Sequence, residues 1–312
     1  MAAIGIDLGG TKILAALVEE GVATAKEKRS TPRTATPGNV LDAVAAMVDR
    51  LDPEERADML GIGVPGPVAP DSGVLAMAAN LTGWSGPVDV AAELSARCGG
   101  RRVVVGNDVN CATLAEARLG AGRAANDLIG VFMGTGVGAG LVLDGHLRIG
   151  PRGYAGELGH IYVNLRDFEV SPIGRGELED YAGRRMMEAR ARARHDAGES
   201  TDLLDLAGEG RMKSSIWAAA LDAGDTVASE IVDDAAEALA TALASATTLL
   251  DIELVVLGGG MAERLGAAFR ADLERRVQRR TFGGAAVRVV APALGSVGPA
   301  IGAALFAEET QP

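Results

Sequence analysis

Two stretches of this chain, "GIDLGGTKILAALV" from Gly5 and "GVFMGTGVGAGLVL" from Gly130, share one shape: apolar strand, glycine turn, apolar strand. Setting Gly5 against Gly130 also brings Gly9 onto Gly134. The repeat is weak in residue identity, yet it constrains the fold. A chain that makes the same hairpin twice, each time leading into alternating strands and helices, is expected to form two α/β lobes. At 312 residues there is room for two cores.

The rest of the pattern fits this plan. A third strand follows the first hairpin, and residues 40–50 ("VLDAVAAMVDR") carry apolar residues at helical spacing, with Asn39 as the expected cap. Strands are expected in "DMLGIGVPGPV" and "RRVVVGND", with a helix around Val90–Arg97 between them. After the second hairpin, residues 177–250 read as helical. There "EIVDDAAEALATALASATTLLD" puts Ile231, Leu239, Leu243 and Leu250 on one face. The strand "LVVLGGGM", a helix, the strand "AAVRVVAP" and a final helix from Pro299 complete the chain. The expected lobes are residues 1–118, completed by the C-terminal helix at about 299–312, and residues 119–298. With no low-complexity linker between them, the lobes are expected to pack together and leave a cleft.

Composition narrows the function. Aromatic residues make up only 3%, so Ala, Val and Leu must fill the interior. A formal charge of −12 repels phosphate backbones and anionic lipid, which disfavours nucleic acid and membrane as partners. Arg184, Arg185, Arg190, Arg192 and Arg194 form a local basic cluster, read as a solvated helix face with Glu188 four residues from Arg192. Cys98 and Cys111 give no disulfide framework and are expected as free, largely buried thiols. No signal segment and no apolar run of spanning length is present, so a cytoplasmic location is expected.

The glycine turns carry the chemistry. "DLGGTK", Asp7 to Lys12, lacks the spacing of a Walker loop or a dinucleotide fingerprint. Still, Gly9 and Gly10 let backbone amides approach phosphate oxygens, Thr11 adds a hydroxyl and Lys12 a positive charge. Asp7, at the strand end, could hold Mg2+ directly or through water. "GTGVGAG" supplies Gly134, Thr135 and Gly136, and "GGG" supplies Gly258, Gly259 and Gly260. Any one cluster could be an ordinary turn. Three, each directly after an apolar strand, point to a nucleotide gripped from both lobes.

Taken in order, "IGIDLGGTK", "GIGVPGPV", "NLTGW", "GNDVNCATLAEARLGAG", "GTGVGAGLVLDG", "GELGH" and "VVLGGG" resemble the ROK family over about residues 3–306. That family comprises bacterial sugar kinases and sugar-responsive repressors, and the resemblance is strongest to glucokinases. It implies a two-lobed actin/hexokinase-like, ribonuclease H-like α/β fold and ATP-dependent transfer to a hexose hydroxyl. Asp108 would then be the general base, with Asn107 orienting the sugar. From the residues alone, Asp108 could equally be a helix cap. The resemblance also implies sugar contacts from Gly66, Asn80, Glu157, His160 and Glu179, with Trp84 as packing. Carboxylates and an imidazole suit sugar hydroxyls, which are paired donors and acceptors.

One segment departs from the family. In many members the histidine of the G-E-x-G-H loop joins three cysteines spaced C-x-C-G-x-x-G-C in a zinc site. Here "VSPIGRGELE" places Val170, Pro172 and Glu177 at the thiolate positions, so no zinc site is expected. Packing from Val170, Pro172 and Ile173 is the expected substitute for holding His160. The resemblance leaves glucose as the leading substrate, with N-acetylmannosamine, N-acetylglucosamine, fructose, mannose and allose behind it. It also leaves polyphosphate as an alternative donor, a homodimer as the expected assembly, and lobe closure on sugar. A sugar-sensing regulator is the non-enzyme alternative. Such regulators carry a DNA-binding segment ahead of the first hairpin, where this chain already has its first strand at residue 3, so an enzyme is expected.

Overall fold

The computed structural model describes residues 2–32, 34–70, 72–78, 81, 83–164 and 175–310. The chain forms two compact units. The first comprises Met1–Asn126, Gly140–Gly156 and Pro292–Pro312; the second comprises Asp127–Ala139 and Glu157–Ala291.

In the first unit, β1 (Ala2–Leu8), β2 (Lys12–Glu19) and β3 (Val22–Ser30) form an antiparallel meander. They are followed by α1 (Pro37–Leu51), β4 (Met59–Val64), the short pair β5 (Val74–Leu75) and β6 (Val88–Asp89), α2 (Val90–Arg97), β7 (Arg102–Asn107) and α3 (Asp108–Leu119). The sheet order is β3-β2-β1-β4-β7, with β1, β4 and β7 parallel. β4 is buried at every position, as a parallel strand covered on both faces should be. β3 is the polar edge, its "KEKRS" run blunting it against further pairing.

α1 starts earlier than its apolar periodicity indicates. Thr36, not Asn39, is the cap, its hydroxyl accepting from the Asn39 amide at 3.4 Å, and Pro37 is the first helical residue. Proline suits that position because its missing N–H would be unpaired there anyway.

β8 (Leu128–Met133), β9 (Val137–Leu143) and β10 (His146–Arg148) repeat the opening meander; β9 begins in the second unit and ends in the first. Then come α4 (Leu178–Ala182), α5 (Arg184–Asp196), α6 (Asp202–Ala207), α7 (Ser214–Asp222), α8 (Thr226–Leu250), β11 (Leu254–Gly258), α9 (Gly259–Gln278), β12 (Arg288–Val290) and α10 (Gly298–Glu309). The second sheet runs β10-β9-β8-β11-β12, with β8, β11 and β12 parallel. Strand for strand, this is the order of the first sheet. The faint repeat between Gly5 and Gly130 is therefore a duplicated backbone plan.

With so few aromatics, the first unit packs by close backbone approach. α10 lies on β1 and β4 at Gly5 and Gly61, where a Cβ would stand 1.8 Å from the carbonyl oxygens of Ala300 and Ala303. It meets α3 at Gly302, where a Cβ would stand 1.8 Å from the Cys111 carbonyl oxygen. Glycine at these points replaces side-chain interdigitation with direct contact of main chains. Glu116, 2% exposed, accepts from the amides of Ala121, Ala293 and Leu294, each at 2.9 Å, and so ties the end of α3 to the segment leading into α10. A buried carboxylate is tolerable there because three donors replace its water.

In the second unit, Ile231, Leu239 and Leu243 of α8 are fully buried, while Leu250 is only half-buried at the helix end. Asp251, in the left-handed conformation, terminates the helix there. The basic face of α5 is largely neutralised: Arg192 pairs with Glu188, Arg190 with Asp234, and Arg194 with Glu199 and Glu230. Both cysteines are buried and free, and burial pushes the Cys98 thiol up to about 11, which leaves it inert near neutrality. Among the described residues, no helix is long and apolar enough to cross a membrane.

Candidate active site

In the first unit several of the expected site residues gather where parallel strands end. The register sets Asp7 of β1 beside Gly63 of β4, and Val64 of β4 beside Asn107 of β7. Asp108 opens α3 directly after β7, and its Cα would lie 3.2 Å from a Cβ on Gly63. The carboxyl ends of parallel strands are where open α/β sheets bind ligands.

Helix α3 is capped by Asn107, not Asp108. The Asn107 side-chain oxygen accepts from the Val109 and Asn110 amides, each at 3.0 Å, and its amide donates to the Gly66 carbonyl at 3.2 Å. Gly66 sits at φ +136°, and a Cβ there would lie 2.3 Å from the Met77 carbonyl oxygen, so only glycine fits this turn. Asn107 thereby holds the Gly66 turn and the start of α3 in one arrangement. Asp108 lies in the first helical turn, one oxygen accepting from the Val109 amide at 2.9 Å. The positive end of the helix favours its ionised form.

Asp7 is half-buried, and among the described residues no donor bonds its carboxylate. Burial pushes the Asp7 carboxyl up, with the Lys12 charge opposing. Burial, then Asp108 and Asp7, together push the Cys111 thiol up as well, so both carboxylates act on one spot. An unpartnered carboxylate at a strand end fits Mg2+, which keeps most of its waters and takes one or two protein carboxylates.

The glycine turn beside Asp7 closes with a bond from the Gly9 amide to the Lys12 carbonyl at 2.9 Å. Thr31 pins it from β3's end: its hydroxyl donates to the Gly9 carbonyl at 2.7 Å, and its amide to the Thr11 carbonyl at 3.1 Å. Sequence reasoning missed Thr31; its signal was a threonine ending the strand that faces the turn. Gly10 and Thr11 are left exposed, as a loop that receives phosphate requires.

In the second unit, the Gly134 amide bonds the Gly136 carbonyl at 2.8 Å, the counterpart of the first turn. Thr135 at its tip is docked on the start of α5, where Arg185 donates its amide to the Thr135 carbonyl at 3.0 Å. The Arg184 guanidinium reaches the Thr135 hydroxyl at 3.3 Å. Gly258 ends β11, and Gly259 and Gly260 begin α9. Gly259 has φ +87°, and a Cβ there would lie 2.4 Å from the Met133 carbonyl oxygen. The third glycine cluster thus lies against Met133, the end of the strand that leads into the second.

Glu157, His160 and Glu179 also come together in this unit. Glu179 accepts from the Val137 amide at 2.8 Å, directly after the Gly136 turn, so residues expected to hold sugar and residues expected to hold nucleotide adjoin. Burial, helped by the Glu179 charge, pushes the Glu157 carboxyl up against the opposing His160. His160 bonds Glu177 at 3.0 Å between Nδ1 and Oε2, a partner the sequence did not reveal. That bond, with the charges of Glu177, Glu179 and Glu157, outweighs burial and holds His160 above its ordinary range.

Trp84 is buried, as a packing residue should be. Asn80, and the residues expected to hold His160 (Val170, Pro172 and Ile173), lie outside the described residues. Among the described residues, no group of three or more His, Cys, Asp or Glu could hold a metal ion.

Comparison with known proteins extends these observations. A model of the ROK family matches residues 3–310. A glucokinase of Thermotoga maritima is 31% identical over 88% of this chain and 86% of its own. An N-acetylgalactosamine kinase of Shewanella sp. is 31% identical over 83% of this chain and 82% of its own. Among solved structures, a ROK family glucokinase from Streptomyces griseus, in complex with glucose and AMPPNP, is similar at a TM-score of 0.82. It shares 30% identity, covering 99% of this chain and 100% of that one. With its motif blocks in order and the match running nearly end to end, the chain belongs to the ROK family.

Proposed function

We propose that this ROK-family sugar kinase transfers the γ-phosphoryl group of ATP to the 6-hydroxyl of glucose, with Asp108 as general base. The observation that carries this reading is the position of Asp108, at the first turn of α3 with the Gly66 turn and Asp7 at the ends of adjoining strands.

Phosphoryl transfer needs an oriented nucleophile and neutralised phosphate charge more than covalent help. Asp108 accepts the proton of the attacking hydroxyl. Asn107 fixes its helix, acting by position. Gly9, Gly10, Thr11 and Lys12 offer amides, a hydroxyl and a cation to the phosphates. Gly134, Thr135, Gly136 and Gly258 to Gly260 hold the remainder of the nucleotide. When bound, Mg2+ supplies charge neutralisation between the phosphates, and Asp7 is the residue that would hold it directly or through water. Glu157, His160 and Glu179 hold the sugar hydroxyls not being phosphorylated, and the family resemblance assigns Gly66 and Asn80 to the sugar as well. A carboxylate clamp of this kind rejects analogues that lack a hydroxyl, because its lone pairs would go unpaired.

Glucose is favoured by the glucokinases among the relatives, whereas the N-acetylgalactosamine kinase supports an N-acetylated hexose as the second reading. ATP is favoured over polyphosphate because a formal charge of −12 disfavours holding a long polyanion. A sugar-sensing regulator would have no use for Asp7, Lys12 and Asp108 together. The working assembly we propose is a homodimer. The test is ADP or polyphosphate consumption over a hexose panel, with ATP and polyphosphate as separate donors. The highest kcat/KM is expected with glucose and ATP, and a clear preference for another sugar or for polyphosphate would replace that part of the reading.

A further inference from the structure

His160 has two ring nitrogens and three carboxylates around it, and each carboxylate has a different task. One oxygen of Glu179 is committed to the backbone, since Oε2 accepts from the Val137 amide at 2.8 Å. Glu157 stands 4.0 Å from Nε2, too far for a hydrogen bond. Glu177 alone bonds the ring, at 3.0 Å to Nδ1. Among the described residues, Nε2 is left without a hydrogen-bond partner.

The backbone brings Glu177 to this place although it is 17 residues along the chain. Tyr162 and Glu177 form an antiparallel bridge. Around it, the Leu178 amide donates to the Ile161 carbonyl at 3.0 Å, and the Val163 amide to the Gly176 carbonyl at 2.9 Å. The start of α4 carries a capping box: the Glu177 side chain meets the Asp180 amide, and the Asp180 carboxylate accepts from the amides of Arg175 at 2.7 Å and Glu177 at 3.0 Å. The Glu177 Oε2 is the oxygen that meets the imidazole. Glu177 is also the better shielded partner, its side chain 21% exposed against 60% for His160.

We propose that Glu177 is the positioning residue of the sugar-binding histidine: its carboxylate keeps the hydrogen on Nδ1 and aims Nε2 at a sugar hydroxyl. In the neutral ring an Nδ1–H leaves Nε2 as an acceptor, whereas free histidine favours the opposite tautomer. A sugar hydroxyl then donates to Nε2, and Glu157 takes a neighbouring hydroxyl. The charged groups facing the ring are Glu157 just before its own turn, Glu177 at the cap of α4 and Glu179 within α4, all carboxylates. They favour the protonated ring at low pH, where Nε2–H becomes a donor and the hydroxyl must reverse its bond. The role in sugar binding rests on the proposed kinase reading; the role in fixing the ring does not.

The test uses the full chain in two arms. The first is nitrogen-15 and carbon-13 NMR of the ring in sugar-free protein at alkaline pH. The chain has three histidines, so His160→Asn assigns the signal, and His146 and His195 report that the fold is intact. The wild type should show the Nδ1–H tautomer, and Glu177→Leu should revert to mainly Nε2–H. The second arm is kinetic. Glu177→Leu should raise KM for the sugar about tenfold or more with kcat near wild type, the usual scale for losing an orienting partner. Glu177→Gln, which keeps an acceptor, should recover most of that loss. An Nε2–H tautomer in the wild type, or an unchanged KM in Glu177→Leu, would overturn the proposal. If no sugar is turned over by the wild type, the kinase reading fails while the tautomer arm still decides the role of Glu177 at the ring.

Discussion

Asp108→Asn should still bind the sugar and lose about a hundred- to ten-thousand-fold of kcat, the range a positioned general base contributes. The substitution is close to isosteric, and an asparagine oxygen can still accept from the Val109 amide that Asp108 now bonds at 2.9 Å. Helix α3 should not suffer, because its cap is Asn107, which holds the Val109 and Asn110 amides. The variant therefore removes proton acceptance while keeping the Val109 bond and the Asn107 cap. Steady-state kinetics together with calorimetric sugar titration will separate the two effects. A kcat equal to wild type would reject Asp108 as the base. A collapse in thermal stability would instead make its carboxylate a structural group.

The second large effect is on stability. Gly61→Ala should cost about 3 kcal/mol, the upper range for overpacking a tight core. The new Cβ would stand 1.8 Å from the Ala303 carbonyl oxygen and 2.4 Å from its carbon, and both are backbone atoms of α10. Neither can rotate away, so the helix must shift off β4 as a body. Gly38→Ala is the matched control. It lies in the first turn of α1, where a Cβ meets nothing within 4 Å, so it should be neutral or gain about 0.5–1 kcal/mol from reduced chain entropy. Urea midpoints for the two variants measure the difference directly. Equal midpoints would mean that α10 does not approach the sheet as closely as described.

Much of the plan was legible because it is periodic or local. The repeated hairpins announced two sheets, and the alternation of strands and helices placed Asp7, Asn107 and Asp108 at strand ends, where a parallel sheet presents them. The glycines were legible in only one of their uses. Those in the turns at Gly9, Gly134 and Gly258 read as phosphate loops, but Gly5, Gly61 and Gly302 serve packing instead. Nothing in a local window distinguishes the two, since the partner backbone arrives from α10 or α3, far along the chain. The cap of α1 was misplaced onto Asn39 because "TPG" looks like a loop, whereas Thr36 and Pro37 are a cap and a first helical residue.

The sugar-site loop shows the same limit. Glu157 and His160 are three apart and were visible together, but the substitute for a metal staple was sought in Val170, Pro172 and Ile173. The bond to His160 comes from Glu177, brought across by the backbone ladder between residues 161–163 and 176–178. Glu177 was noticed only for standing at a thiolate position. Its ability to bond the imidazole directly depends on strand pairing that no spacing rule encodes.

The central claim, sugar-dependent phosphoryl transfer from ATP, meets its most direct test in phosphorus-31 NMR of protein incubated with glucose, ATP and Mg2+. The account predicts equimolar ADP and a new phosphomonoester on the glucose 6-hydroxyl, with ADP formation falling to background when sugar is omitted. ADP and free phosphate appearing at the same rate with and without glucose, or no turnover with any hexose offered, would contradict it.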